Sequence, residues 1–238
     1  MSLLLNLYLG HLLGDFLLQP GKLVAAKRRG IIGLLIHGAI IGACTALIVF
    51  EDLGVLWPLI LLAIGAHLLI EIITITARAK TRMSGLGIFL IDQAMHISSL
   101  VLLTAVAQPR IDITHMATLG FDLEPTQLAF ACGLLAVMVM GSILVFETVR
   151  AVGPTEEAEI LPLDSARVAG MAERGGALAL AILVSPPLLL AAFVPRVSLA
   201  LTKREGQRAK LLIEAATGLA FCIFVYALIV WAASATQI

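Results

Sequence analysis

Apolar residues run through this chain in long blocks, and polar positions interrupt them in two different ways. The blocks fall at 3–19, 31–50, 55–77, 86–107, 126–147, 176–195 and 211–233. Most approach the roughly 20 residues that an α-helix needs to cross the hydrocarbon core of a bilayer. The pattern predicts an all-α, polytopic transmembrane helical bundle of about seven segments. The first block is short, but it has neither a basic flank nor a small-residue cleavage site and carries polar groups, so it reads as a retained helix rather than a signal peptide. Pro186 and Pro187 fall in the middle of the sixth block. Two prolines remove two backbone donors, so that segment is expected to kink there or to turn back as a re-entrant hairpin.

Charged clusters between the blocks are the first kind of interruption. The long loop at 108–125 divides the chain into a four-helix membrane half at 1–107 and a second membrane half at 126–238, with a candidate interfacial helix at 155–172. His115, in that loop, reads as a solvated surface residue. Basic residues at 22–29 and 78–82 orient the first half. Cytoplasmic loops carry an excess of Lys and Arg, so the N-terminus and the loop at 108–125 are expected on the extracytoplasmic side of a bacterial inner (plasma) membrane. Under that orientation the basic run from Arg196 to Lys210 reaches the cytoplasm only if the sixth segment doubles back.

Ionisable residues inside the apolar blocks are the second kind. His11/Asp15, His67/Glu71 and Asp92/His96 are each four residues apart, and His37 lies in the block between the first two pairs. A spacing of four puts both members of a pair on one helix face. Counted from the predicted cytoplasmic ends at about 1.5 Å per residue, Asp15, His37, Glu71 and Asp92 share one depth, with His11, His67 and His96 one turn deeper. Ionisable groups at membrane depth are costly and usually mark function.

Composition agrees with this picture. Hydrophobic residues make up 60% of the chain and charged residues 13%, against about a quarter charged in soluble domains, and the mean hydropathy is +1.04. A formal net charge of +0, with no basic–aromatic patch, argues against nucleic acid and leaves membrane lipid as the expected partner. Cys44, Cys132 and Cys222 are isolated from one another and read as small hydrophobes.

Imidazole and carboxylate together form a donor set for a divalent metal such as zinc, iron or manganese. The candidate ligands are His11, Asp15, His37, His67, Glu71, Asp92 and His96. Asp15, Glu71 and Asp92 are also the candidate catalytic acids and bases. Gln19, Thr74 and Ser99 follow at helical steps and, with Gln93 beside Asp92, are candidate hydrogen-bond partners of those ligands. Gly10/Gly14 and Gly38/Gly42 have the small-residue spacing that lets membrane helices approach closely. The favoured reading is a metal-dependent, hydrolase-like enzyme acting on a lipid or lipid-linked substrate. The alternatives are a proton or metal-ion transporter, or a non-catalytic membrane subunit whose polar pairs only glue helices together.

The run GHLLGDFLLQ at 10–19 followed by Lys22, then His37, His67-x-x-x-Glu71 and Asp92-Gln93-x-x-His96, resembles a bacterial integral-membrane family, the domain-of-unknown-function family numbered 3307. The resemblance covers about the first hundred residues. More loosely, Glu173–Arg174 and the turn near Lys203–Arg204 are similar to longer members. An aspartate is expected after the third histidine, where this chain has Glu71. The resemblance implies a membrane location and a helical fold, and brings no activity with it.

Overall fold

The computed structural model describes residues 1–108, 116–153 and 164–235. His115 and the first part of the expected interfacial helix, 155–163, lie outside the described residues. No strand occurs among the described residues, which form helices and short connections. Five helical stretches are long and apolar enough to cross a membrane: Ile31–Ile48, Phe50–Lys80, Gly85–Ala107, Pro125–Val152 and Glu205–Ser234. Two shorter apolar helical stretches, Ser2–Leu17 and Leu188–Leu201, fall short of the length of a span, so five long apolar helices stand where seven segments were expected. Large apolar side chains face outward along the long helices, among them Ile32, Trp57, Leu62, Leu102 and Trp231. In water such a surface would aggregate, whereas in a bilayer it meets lipid tails. The chain is a membrane-spanning helical protein.

It forms two compact units, one of residues 1–83 and 87–132, the other of 84–86 and 133–238. The first unit opens with α1, Ser2–Leu12, which continues as a single π-helical turn over Leu13–Leu17. Helix α2, Gly21–Arg29, begins just after Pro20, whose fixed φ starts a helix without needing a donor. These residues were expected to be a basic connecting loop. They fold instead because Leu23 and Lys27, one turn apart, are both buried on one face of the helix. Helices α3 (Ile31–Ile48), α4 (Leu53–Lys80) and α5 (Gly85–Ala107) follow.

Helix α3 is the hub of this unit, packing on α1, α2 and α4. Glycines make its closest approaches possible. A Cβ at Gly10 would stand 2.9 Å from the Thr45 Cα, and one at Gly14 3.0 Å from the Ile41 Cα. On the other side, a Cβ at Gly33 would overlap the backbone of Ala26 and Lys27. A tight turn closes the far end of α3. Leu119 (φ 54°) and Gly120 (φ 78°) are both left-handed, as a type I′ turn requires. The Leu119 amide donates to Ile48 O at 2.8 Å, and the Thr118 hydroxyl donates to Asn6 Oδ1 at 2.8 Å.

The second unit contains a π turn at Ala136–Met140 leading into α7, Gly141–Val152, after the short helix α6, Pro125–Leu135. Helix α8, Ser165–Leu183, is capped by Asp164, whose carboxylate accepts from the Arg167 amide at 2.8 Å. Residues 165–172 are thus the opening turns of α8 rather than a separate interfacial helix. Helix α8 ends just before Pro186–Pro187, and the chain resumes in α9 (Leu188–Ala191), α10 (Val194–Leu201) and α11 (Glu205–Ala235).

Between kink and hairpin, the geometry decides for the hairpin. The Arg196 guanidinium donates to Glu173 at 2.5 Å and to Glu214 at 2.5 Å. Along one continuous helix, positions 173 and 196 would be ~34 Å apart. The chain therefore turns back at the prolines. Arg174 is buried beside this ion pair, donating to Val137 O at 2.7 Å, Met138 O at 3.2 Å and the Ser142 hydroxyl at 2.7 Å.

The contact of α1 with α3 yields a packing prediction. Gly14→Ala forces a methyl group against the α3 backbone and should cost about 1–3 kcal/mol. Gly65→Ala, where a Cβ meets open space, should be neutral or slightly stabilising. Thermal unfolding of the two variants in detergent checks this, and equal midpoints would contradict the close approach.

Candidate functional site

Every ionisable residue singled out inside the first four apolar blocks arrives in one cluster within the first unit. Helix α1 and its π turn supply His11 and Asp15, α3 supplies His37, α4 supplies His67 and Glu71, and α5 supplies Asp92 and His96. All four imidazoles are at most 4% exposed. The side chains sort into two layers.

The deeper layer is three imidazoles from three helices. Ring centroids lie 4.3 Å apart for His67 and His96, 4.8 Å for His11 and His96, and 5.4 Å for His11 and His67. One ring nitrogen from each falls within 4.8 Å of the others. His11 Nε2 and His96 Nε2 are buried without a hydrogen-bond partner. Leaving such a group unpaired costs about 1–3 kcal/mol. A cavity of about 20 Å³ opens beside the trio, lined also by Thr45, Ser99 and Leu100. That is room for one water-sized occupant.

The shallower layer is acidic and fully engaged. Asp15, His37, His67 and Glu71 again have ligand atoms within 4.8 Å of one another. His37 Nε2 stands 2.9 Å from His67 Nε2, 3.3 Å from Asp15 and 3.5 Å from Glu71. The Gln19 amide donates to Asp15 at 2.8 Å and reaches His37 Nδ1 at 3.1 Å.

Lys27, one of the basic residues at 22–29 that orient the first half, is part of this layer. Its ammonium donates to Glu71 at 2.5 Å and stands 3.9 Å from Asp15. The side chain is about 10% exposed. A signal for it exists in the sequence, since Leu23 and Lys27 share the apolar face of a nine-residue helix. Gly33 then lets the α2 backbone at Ala26–Lys27 settle onto α3, which delivers the ammonium to the acids.

In two of the three sequence pairs, His11/Asp15 and His67/Glu71, the members are not each other's main contacts, whereas His96 keeps Asp92 as its polar neighbour. His11 Nε2 is 3.9 Å from Asp15, and His96 Nε2 is 3.5 Å from Asp92. Glu71 turns to Lys27 and His37, which sit on other helices. The π turn contributes to this by carrying Asp15 toward α2 and α3 rather than leaving it stacked over His11. Single π turns are frequent at functional sites. Asp92 is only partly buried, at the edge of the cluster, with Asp92, Asp15 and His96 near enough to share one ion.

Among the outer candidates, Gln19 bonds the cluster directly, and the Gln93 amide donates to Asp92 at 2.8 Å. The Thr74 and Ser99 hydroxyls instead donate to the backbone carbonyls of Glu71 and His96 on their own helices, at 3.2 and 2.8 Å.

Residues 3–119 match the family described as a protein of unknown function, DUF3307. All the residues of both layers lie inside the matched stretch. No curated protein and no solved structure matches the chain.

The ion pair makes a separable prediction. Removing one member of a buried pair strands the other and costs about 3–5 kcal/mol. Lys27→Met and Glu71→Gln should each destabilise by that order in metal-free protein, while the double variant should lose far less than their sum. A double-mutant cycle on detergent unfolding measures the coupling; additive losses would mean that the two side chains do not share their charge.

Proposed function

We propose that this protein is a metal-dependent membrane hydrolase acting on a lipid or lipid-linked ester or phosphate. The observation that supports this best is the unpaired state of His11 Nε2 and His96 Nε2, buried beside His67 and a water-sized cavity. Imidazoles from three helices fit a divalent ion that keeps a fourth position open, with zinc, iron or manganese suited to nitrogen and oxygen donors.

Such an ion would lower the pKa of a water molecule in the cavity. In this reading the protein's own groups do the rest. Asp92 accepts the proton as the water attacks the ester or phosphoryl centre, and returns it to the departing oxygen. Asp92 suits that role because it lies at the edge, next to His96, while Lys27 holds Glu71, and Gln19 and His37 hold Asp15. Asp15 and Glu71 serve the site by orienting His37 and by setting its charge.

Lipid is the expected substrate because the site lies among apolar helices. Lys22, Arg28, Arg29, Lys80 and Arg82 are exposed at the end of the unit nearest the acidic layer, where they attract anionic head groups. With those residues cytoplasmic by the positive-inside rule, the protein sits in the inner membrane with its N-terminus outside.

Elemental analysis of the detergent-purified protein is the deciding measurement. About one equivalent of zinc, iron or manganese is expected, falling at least tenfold in His11→Ala and His96→Ala variants that keep their helical content. Asp92→Asn should keep its metal and lose at least a hundredfold in turnover on the lipid ester or phosphate found by screening. Absence of metal after reconstitution would sink this reading in favour of a proton or ion relay.

A further inference from the structure

Asp15, His37 and Glu71 bring two carboxylates and an imidazole to one point, together with His67. Two carboxylates this deep in an apolar bundle need a counter-cation, since unpaired buried charge is prohibitively costly. Lys27 supplies it, on a short helix of its own. Its ammonium lies beside both carboxylates, 2.5 Å from Glu71 and 3.9 Å from Asp15, and occupies the space an ion would need to reach them.

We infer that Asp15, His37 and Glu71 form a second divalent-cation position, held closed by the Lys27 ammonium as a tethered substitute ion. Asp15 would link the two positions, because its carboxylate also lies within 4.8 Å of ligand atoms of Asp92 and His96. With Lys27 in place the cluster has one position open to metal, at the imidazole trio; with Lys27 withdrawn it has two. Paired metal ions bridged by a carboxylate clamp both the attacking and the leaving oxygen of a displacement. Seating α2 therefore sets whether the site has one ion or two. The docking surface for that control is already built, since only the missing side chain of Gly33 allows α2 to lie so close.

The count of two rests on the metal reading of the trio, but the second position can be tested apart from it. Wild type, Lys27→Met, Lys27→Met/Glu71→Gln, His96→Ala and His96→Ala/Lys27→Met are each incubated with Zn²⁺ or Mn²⁺ in detergent, desalted and analysed for bound metal. Expected are about one equivalent for wild type and about two for Lys27→Met, returning to about one when Glu71 is also replaced. His96→Ala should hold none and His96→Ala/Lys27→Met about one.

If wild type holds no metal but Lys27→Met gains one equivalent, the imidazole-trio reading fails and the second position stands. If Lys27→Met and Lys27→Gln both hold no more than wild type, the second position is overturned. Gly33→Leu, which lifts α2 without altering any charge, should raise the metal content in the same direction as Lys27→Met. A Lys27→Met chain that does not accumulate even with divalent metal supplied also overturns the inference, because the ion is expected to replace the ammonium.

Discussion

Neutralising charge away from water is the constraint on which the first unit depends. Ligand atoms of Asp15 and Glu71 lie within 4.8 Å of each other in a bundle whose outer surface is apolar, and both side chains are buried away from bulk screening. Their repulsion is offset by Lys27, which reaches them because α2 is folded, amphipathic and seated on the bare backbone of Gly33. Without that seat the ammonium would remain at the interface. The acids would then have to take up protons, bind another cation or separate, and α1 and α4 would lose the contact they make through His37.

Above this layer the imidazole trio is left chemically open. In the acidic layer nearly every donor meets an acceptor, and one ammonium offsets part of the charge of two carboxylates. In the trio two nitrogens have none, and a small cavity lies beside them. That contrast gives the cluster a direction. One side is a scaffold that fixes where the histidines stand, and the other is where a ligand would gain most by binding. The hydroxyls that sequence spacing placed near the ligands, on Thr74 and Ser99, bond back to their own helices. Orientation of the site thus falls to Gln19, Gln93 and the buried ion pair.

The second unit meets the same physical problem with a different answer. Arg174 is buried with no carboxylate bonded to it among the described residues. Its guanidinium is held by two carbonyls of a π turn and by the Ser142 hydroxyl. The neighbouring Arg196 is shared by Glu173 and Glu214, and this three-way contact pins the hairpin at Pro186–Pro187. Charge buried in this protein is satisfied either by opposite charge or by backbone dipoles, and each solution depends on a local departure from regular helix.

Much of the architecture was legible in the chain because a bilayer reads hydrophobic length directly. The apolar blocks marked the five long apolar helices, and the i, i+4 pairs marked the helices that carry the cluster. Pro186–Pro187 predicted where a helix must stop, since backbone chemistry alone forbids its continuation. Periodicity could not say whether the chain goes on or turns back after that break; the ion pair between α8 and α10 decided it. Nor could it show that His67 partners His37 and His96 rather than Glu71, because spacing along one helix is silent about rotation toward its neighbours. Lys27 was hidden for the same reason. A basic residue after an apolar helix looks like a topogenic charge until the helix that carries it packs against a glycine. The sequence by itself determined which helices exist and which bear ionisable groups, through length, period and the two prolines. Only the tertiary structure decided which groups meet, because the distances that make them partners arise from the packing of separate helices.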